Sequence, residues 1–397
     1  MRQSVSLTAG LRAMLDLAQR HTADLQRRLA DEGVDIALIT DPDSIAYFAG
    51  FWGYLGVEFG RPTILLVPRD GAPVVITPLM ESEMVSAMTW VEDIRPWEDD
   101  GPNRWPAVLA AALGAGPAIT LGVEAAKLPA LIGDFLAGHG TETHRRDIAG
   151  VIADMRMVKS AEEIAIMRQA GQIAIAMMDA AKGAMAEGVP EYEIALAVIA
   201  GGTRKAAGFL TDKGWDAFVS PMIHNLQIMQ SGGDTSMVHR RSNLRRLARR
   251  DPVYLCFCNM VAFKQYKLGF DREFFIGAVA DEHARVYEAT VAAQQAALDA
   301  IRPGVACEDV HAAANEVYRG HGFAPGYRTG RAIGVSYLEE PEIKSGDQTV
   351  LRAGMTFAVD GGITIPGEFG GRVGDSIVVT EDGHEVLTPY PKELCVV

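Results

Sequence analysis

A histidine and a carboxylate on neighbouring strands are the minimum set for moving a proton near neutral pH. Such a pair stands between Gln230 and Phe275. His239 lies in a polar segment that opens with Gln230-Ser231-Gly232. An arginine-dense turn follows, and the apolar run Val253-Tyr254-Leu255-Cys256-Phe257-Cys258 leads on to Asp271-Arg272-Glu273-Phe274-Phe275. An ordinary hydrogen-bonded histidine beside a strand has the same local signature, so the pair acquires meaning only from the elements around it. Asp360 is a second carboxylate of interest, because Gly361-Gly362 behind it lets backbone approach a ligand closely. His224 is an alternative base in the same region.

The elements that must position these residues form two domains, with the boundary expected at 153/154. Residues 1–153 read as an α/β domain with a mixed sheet. An amphipathic helix over Leu11–Glu32 precedes a buried strand over Asp35–Thr40 and the turn signal Asp41-Pro42-Asp43-Ser44. The apolar runs Thr63–Val67 and Val74–Thr77 flank Pro68-Arg69-Asp70-Gly71-Ala72-Pro73, a hairpin signature. A helix over Trp105–Leu113, a strand over Ile119–Val123 and a helix over Pro129–Ala137 follow. Residues 154–397 begin with a capping box, Ser160-Ala161-Glu162-Glu163, in which side chain and backbone cap each other reciprocally. The helix it starts and a second one after Gly188-Val189-Pro190 lead into strands over Val253–Phe257 and Phe270–Phe275. The same phrase recurs in helices over Asp281–Ile301 and Glu308–Gly320, then strands over Thr356–Asp360 and Asp375–Val379. Two helix–helix–strand–strand halves imply an internal pseudo-twofold, with a site on the shared sheet surface.

Composition narrows the function classes. The 397 residues are 48% hydrophobic and 22% charged, ordinary for a globular protein with two full cores. A formal charge of −14 argues against nucleic acid and anionic membrane as partners. The first residues lack an uninterrupted apolar stretch, so neither a signal peptide nor a membrane span is expected. Four scattered cysteines suit reduced thiols in a cytoplasm, and Cys256 and Cys258 read as buried small hydrophobes. The run Arg240, Arg241, Arg245, Arg246, Arg249 and Arg250 reads as a solvated hairpin or a donor of intersubunit salt bridges.

This organisation resembles the pita-bread superfamily of methionine aminopeptidase, aminopeptidase P, prolidase and creatinase, over essentially the whole chain. The landmarks are Ser231-Gly232 leading to His239, Asp271-Arg272, Gly330-Arg331-Ala332-Ile333-Gly334, Gly354-Met355-Thr356-Phe357, and Gly371-Arg372 through Asp375-Ser376. The resemblance implies an N-terminal α/β domain and a C-terminal pita-bread domain. It also implies where a metal pair would be held: two Asp, one His and two Glu in the peptidases, which here become Cys258, Gly269, Arg331, Asp360 and Gly374. One carboxylate cannot hold a divalent pair, and Arg331 brings a permanent cation instead. No metal or other cofactor is therefore expected, and metal-assisted peptide hydrolysis is not.

The match narrows to creatinase, the branch that works without metal. Phe59-Gly60-Arg61 stands where creatinase presents Phe-Gly-Arg to the active site, and His239 has the spacing of its catalytic histidine. Asp271 and Asp360 stand for the two carboxylates that hold the substrate guanidinium. Both are one methylene shorter than the Glu of creatinase, which favours a bulkier cationic group than creatine. The resemblance assigns Arg61, Arg331 and Arg372 to anion binding, since a guanidinium matches a carboxylate bidentately. The implied function is hydrolysis of a C–N bond in a small carboxylate-bearing guanidine or amidine, with His239 activating water. Ectoine hydrolase, acting on a cyclic amidine acid, belongs to the same reading. A lyase releasing a cationic group from a betaine-like carboxylate, and a non-catalytic binding module, are the alternatives. The resemblance also implies a homodimer in which the small domain of one subunit, with Phe59 and Arg61, caps the site of its partner.

Overall fold

The computed structural model describes residues 9–53, 55–114, 118–138, 143–223, 228–258 and 262–397. His224 lies outside them. The chain divides into two compact units: Met1–Met155 with Thr211–Val219, and Arg156–Leu210 with Ser220–Val397. The short excursion 211–219 has no composition break to announce it in the sequence.

In the first unit, α1 (Ala9–Asp31) leads into β1 (Ile36–Ile39), followed by α2 (Pro42–Ala49) and α3 (Leu55–Phe59). Asp41-Pro42-Asp43-Ser44 starts α2 instead of making a free turn. The Asp41 side chain accepts from the Ser44 N–H, and Pro42 occupies the first turn, where its missing donor costs nothing. Next come β2 (Ile64–Pro68), β3 (Val74–Pro78), α4 (Ser82–Met88), β4 (Asp93–Trp97), α5 (Trp105–Leu113), β5 (Ile119–Val123), α6 (Ala130–Gly138) and β6 (Thr143–Asp147). The six strands form one mixed sheet in the order β4-β3-β2-β1-β5-β6. Strands β4 and β6 escaped the sequence reading because both are short and carry charged residues where an alternating pattern would show apolar ones.

Helix α7 (Ala149–Met157) carries the junction between the units. The capping box at Ser160 and Glu163 is complete in both directions and starts α8 (Ala161–Ala184). Then follow α9 (Glu191–Ala207), β7 (Ile228–Ser231), β8 (Pro252–Cys256), the small hairpin β9 (Ala262–Phe263) and β10 (Tyr266–Lys267), and β11 (Asp271–Phe275). The second half runs α10 (Asp281–Ala300), α11 (Cys307–Gly320), β12 (Gly330–Ala332), β13 (Glu339–Ile343), β14 (Thr356–Ile365), β15 (Phe369–Val379) and β16 (His384–Val386). The large sheet has the order β13-β12-β14-β15-β11-β8-β7, with β16 paired to β15. Leu298, Ile301, Val310, Met355, Phe357 and Ile377 form the core between α10, α11 and the second half of that sheet.

Register decides the rest. Residues directly across a sheet share a face, and successive residues alternate faces. Cys256 pairs with Asp271, Asp271 with Gly374, and Gly374 with Asp360. One row of side chains therefore joins four strands from both halves of the unit. The next residues along, Arg272 and Asp375, turn to the opposite face.

Within the arginine run, Arg240 and Arg245 are held by internal carboxylates, whereas Arg241, Arg246, Arg249 and Arg250 are exposed to solvent. Arg240 pairs with Glu191 at 2.6 Å and Asp234 at 3.1 Å, while Arg245 pairs with Asp251 at 2.5 Å. Arg246 donates to the Gly188 carbonyl at 2.9 Å. Glu191 is fully buried at the start of α9, and a buried carboxylate needs such partners.

Candidate active site

A cavity of about 730 Å³ opens on the large sheet and brings His239, Asp271, Arg331, Asp360 and Arg372 together. His239 stands exposed on its wall, in the turn after β7. The floor is the cross-strand row. A side chain on Gly374 would place its Cβ 2.7 Å from Asp360 Oδ1 and 3.0 Å from Asp271 Oδ2, so only glycine lets the two carboxylates converge there.

Asp271 is buried and accepts from Tyr254 Oη at 3.1 Å and from Cys258 Sγ at 3.5 Å. Burial, and then the negative charge of Asp360, push its carboxyl up to about 6. Asp360 is held by an ion pair from Arg331 Nη1 to its Oδ2, and its Oδ1 has no hydrogen-bond partner. Arg331 stacks on Tyr337, with its guanidinium carbon 4.4 Å from the ring centroid, and its Nη2 approaches Cys258 Sγ at 3.4 Å. Burial alone would pull this guanidinium down, but Asp360, Cys258 and Asp271 outweigh it and hold the charge firmly on.

Arg372, only 8% exposed, donates from Nη2 to Thr364 Oγ1 at 2.6 Å, whereas its Nη1 is buried without a partner. That orphan donor is a ready seat for an anionic group. Below it, Glu273 accepts from the Arg372 backbone N–H at 3.0 Å, and burial pushes its carboxyl up to about 8.

Arg272 ion-pairs with Asp375 on the other face of the sheet. Arg331 and Asp360 are each other's partners. Cys256 is buried as expected and Cys258 is only half-buried, and both line the cavity. Tyr254, Glu273 and Tyr337 went unnoticed. The alternation along Tyr254, Cys256 and Asp271, Glu273 was the available signal, since all four share one face of the sheet. Phe59 and Arg61 belong to the first unit, where Phe59 is 66% exposed and Arg61 pairs with Asp99 at 2.6 Å.

The chain matches the model of metallopeptidase family M24 over residues 165–381 and that of the creatinase/prolidase N-terminal domain over residues 22–158. It belongs to family M24. The agropine synthesis cyclase of Rhizobium rhizogenes is 31% identical, across 94% of this chain and 96% of that protein. Among solved structures, the prolidase of Thermococcus sibiricus superposes with a TM-score of 0.82 at 22% identity, covering 96% of this chain and 99% of that one. Dipeptidase PepE from Mycobacterium ulcerans gives 0.77 at 27% identity, covering 96% and 98%. The fold is thus that of creatinase/prolidase-like hydrolases, with an N-terminal creatinase-type domain and a C-terminal pita-bread domain.

The metal pair implied by that family name does not fit these residues. The space beside Gly269 is filled by Arg331: a Cβ there would lie 3.2 Å from Arg331 Nη2 and 2.7 Å from the Ala358 methyl. Cys256, Cys258 and Asp271 have donor atoms within 4.8 Å of one another. Yet the Arg331 cation already touches Cys258, and both thiols sit above the ordinary thiol range. Burial does this for Cys256. For Cys258, contact with Cys256 pulls down while burial and the Asp271 charge outweigh it. Among the described residues, no helix is long and apolar enough to cross a membrane.

Proposed function

We propose that the protein is a metal-independent, creatinase-like hydrolase that breaks a C–N bond in a small carboxylate-bearing guanidine or amidine. The observation that carries this reading is the Arg331–Asp360 ion pair, a fixed internal cation at the position where the family's peptidases use a neutral histidine ligand. The unpartnered Nη1 of Arg372 takes the substrate carboxylate. Asp271 and the free Oδ1 of Asp360 then face the cationic carbon centre, and His239 at the wall supplies water with its base. The test is metal analysis of the purified protein, with a panel of carboxylated guanidines and cyclic amidines assayed with and without chelator. Turnover by metal-free protein is expected, and His239→Asn should lower it at least ~100-fold. Stoichiometric Zn, Mn or Fe with activity lost to chelator would sink the proposal.

A second reading has one specific observation in its favour, the likeness to agropine synthesis cyclase. A cyclase joins two groups of one molecule, so a nucleophile within the substrate acts where a hydrolase uses water. The same carboxylates and arginines serve either outcome. Mass spectrometry of products from the panel separates them by gain or loss of one water.

The proposal includes an isologous homodimer in which Arg61 serves the partner's site. Mixing inactive Arg61→Ala with inactive His239→Asn under subunit exchange is expected to restore one working site per mixed dimer. No recovery despite proven exchange would remove Arg61 from that role.

A further inference from the structure

We propose that Cys258 is a covalent nucleophile, with Asp271 as its base, Tyr254 orienting that base, and Arg331 stabilising the charge that develops at sulfur and substrate. The inference rests on the metal-independent reading and gives that site a second catalytic device. An activated nucleophile is recognised by a base within hydrogen-bond reach that is itself oriented by a third group. Here the Cys258 thiol donates to Asp271 Oδ1 at 3.5 Å, and Tyr254 Oη holds Asp271 Oδ2 at 3.1 Å. The Arg331 guanidinium stands 3.4 Å from the same sulfur. All four side chains line the one cavity, and Cys258 is the half-buried member of the cysteine pair.

The chemistry suits the groups. A carboxyl displaced upward to about 6 is a better proton acceptor than an ordinary aspartate while still ionised at neutral pH. The thiol is neutral at rest, so its proton passes to Asp271 as the S–C bond forms. In the first half-reaction sulfur adds to the amidine or guanidine carbon. The C–N bond to the leaving amine then breaks, and that amine takes the proton held by Asp271. A thioimidate from an amidine, or an isothiourea from a guanidine, remains on Cys258. In the second half water forms a C–O bond to the same carbon, the C–S bond breaks, and sulfur regains a proton. The sum is one water consumed, with an amide or urea and an amine released. If a hydroxyl of the substrate replaces that water, the same intermediate closes a ring. Cys256 also lines the cavity and neighbours Asp271, but it is buried in the strand, so peptide mapping has to resolve its labelling from that of the half-buried Cys258.

The test uses p-nitrophenyl acetate as an acyl probe on reduced full-length protein, with peptide mapping of the adduct. Acylation is expected at Cys258 at least tenfold faster than at Cys395, which is also half-buried. Labelling should rise with pH through about 6 as Asp271 ionises. Asp271→Asn should slow it by ~100-fold, the usual scale for loss of a general base. If that variant fails to fold, Tyr254→Phe is expected to slow labelling while leaving Cys395 unchanged. Labelling of Cys258 no faster than Cys395, or labelling indifferent to both substitutions, overturns the proposal. Discovery of a functional metal would defeat the metal-independent reading by a different measurement. On any panel compound that is turned over, Cys258→Ser with full activity defeats the nucleophile alone.

Discussion

Two arginine–aspartate pairs lie on opposite faces of the same sheet, Arg272–Asp375 on β11 and β15 and Arg331–Asp360 on β12 and β14, and they are built to different ends. Arg272 and Asp375 sit beneath the sheet with nothing left over. The Arg272 guanidinium donates to the carbonyls of Asp271, Gly374, Tyr390 and Pro391 and to Asp375 Oδ1. Asp375 in turn accepts from Thr388 and Gln294, with Lys392 Nζ 3.2 Å away. Arg331 and Asp360, on the cavity face, keep an unpartnered Nε and an unpartnered Oδ1. A buried polar atom without a partner costs stability, so these two open positions support the proposal that this face takes a ligand. The satisfied pair spends every donor on holding the sheet together, whereas the incomplete pair keeps polar atoms open towards the cavity.

Breaking the satisfied pair should have the largest effect. Arg272→Met leaves Asp375 and Lys392 in an unbalanced buried network, and a loss of ~3–5 kcal/mol is expected from urea unfolding. Arg331→Met should cost ~1–3 kcal/mol, because Asp360 remains partly open to the cavity and can be solvated. Equal losses for the two variants would erase the distinction between the faces.

Glu273 sharpens the comparison by pH. Its carboxyl is raised in the folded state to about 8 from an ordinary 4.5, so the folded protein binds the extra proton between those values. Its contribution to stability is therefore full below about 4.5 and is lost as pH rises towards about 8. Glu273→Gln keeps the neutral form at every pH. The variant should match wild type below about pH 4.5 and exceed it by a margin that grows to on the order of 5 kcal/mol by pH 8. A stability gap that does not change with pH would mean that Glu273 is ionised in the fold.

Much of the architecture is legible in the sequence because its signals are local. The Ser160–Glu163 capping box, the Pro68–Pro73 hairpin turn and the repeated helix-pair phrase each act over a few residues, and the structure realises them. The family likeness and the absence of the usual ligand residues at Cys258, Gly269, Arg331 and Gly374 are likewise written in residue type. Tertiary structure alone decided how these residues meet. Cross-strand register placed Cys256, Asp271, Gly374 and Asp360 in one row although they come from distant parts of the chain. It turned Arg272 away from its neighbour Asp271 and towards Asp375, and it aimed Arg331 at Asp360. Residue type specifies what a side chain can bond to. Which partner it finds depends on strand pairing, and desolvation then sets the strength of the contact and the proton affinity of Asp271 and Glu273.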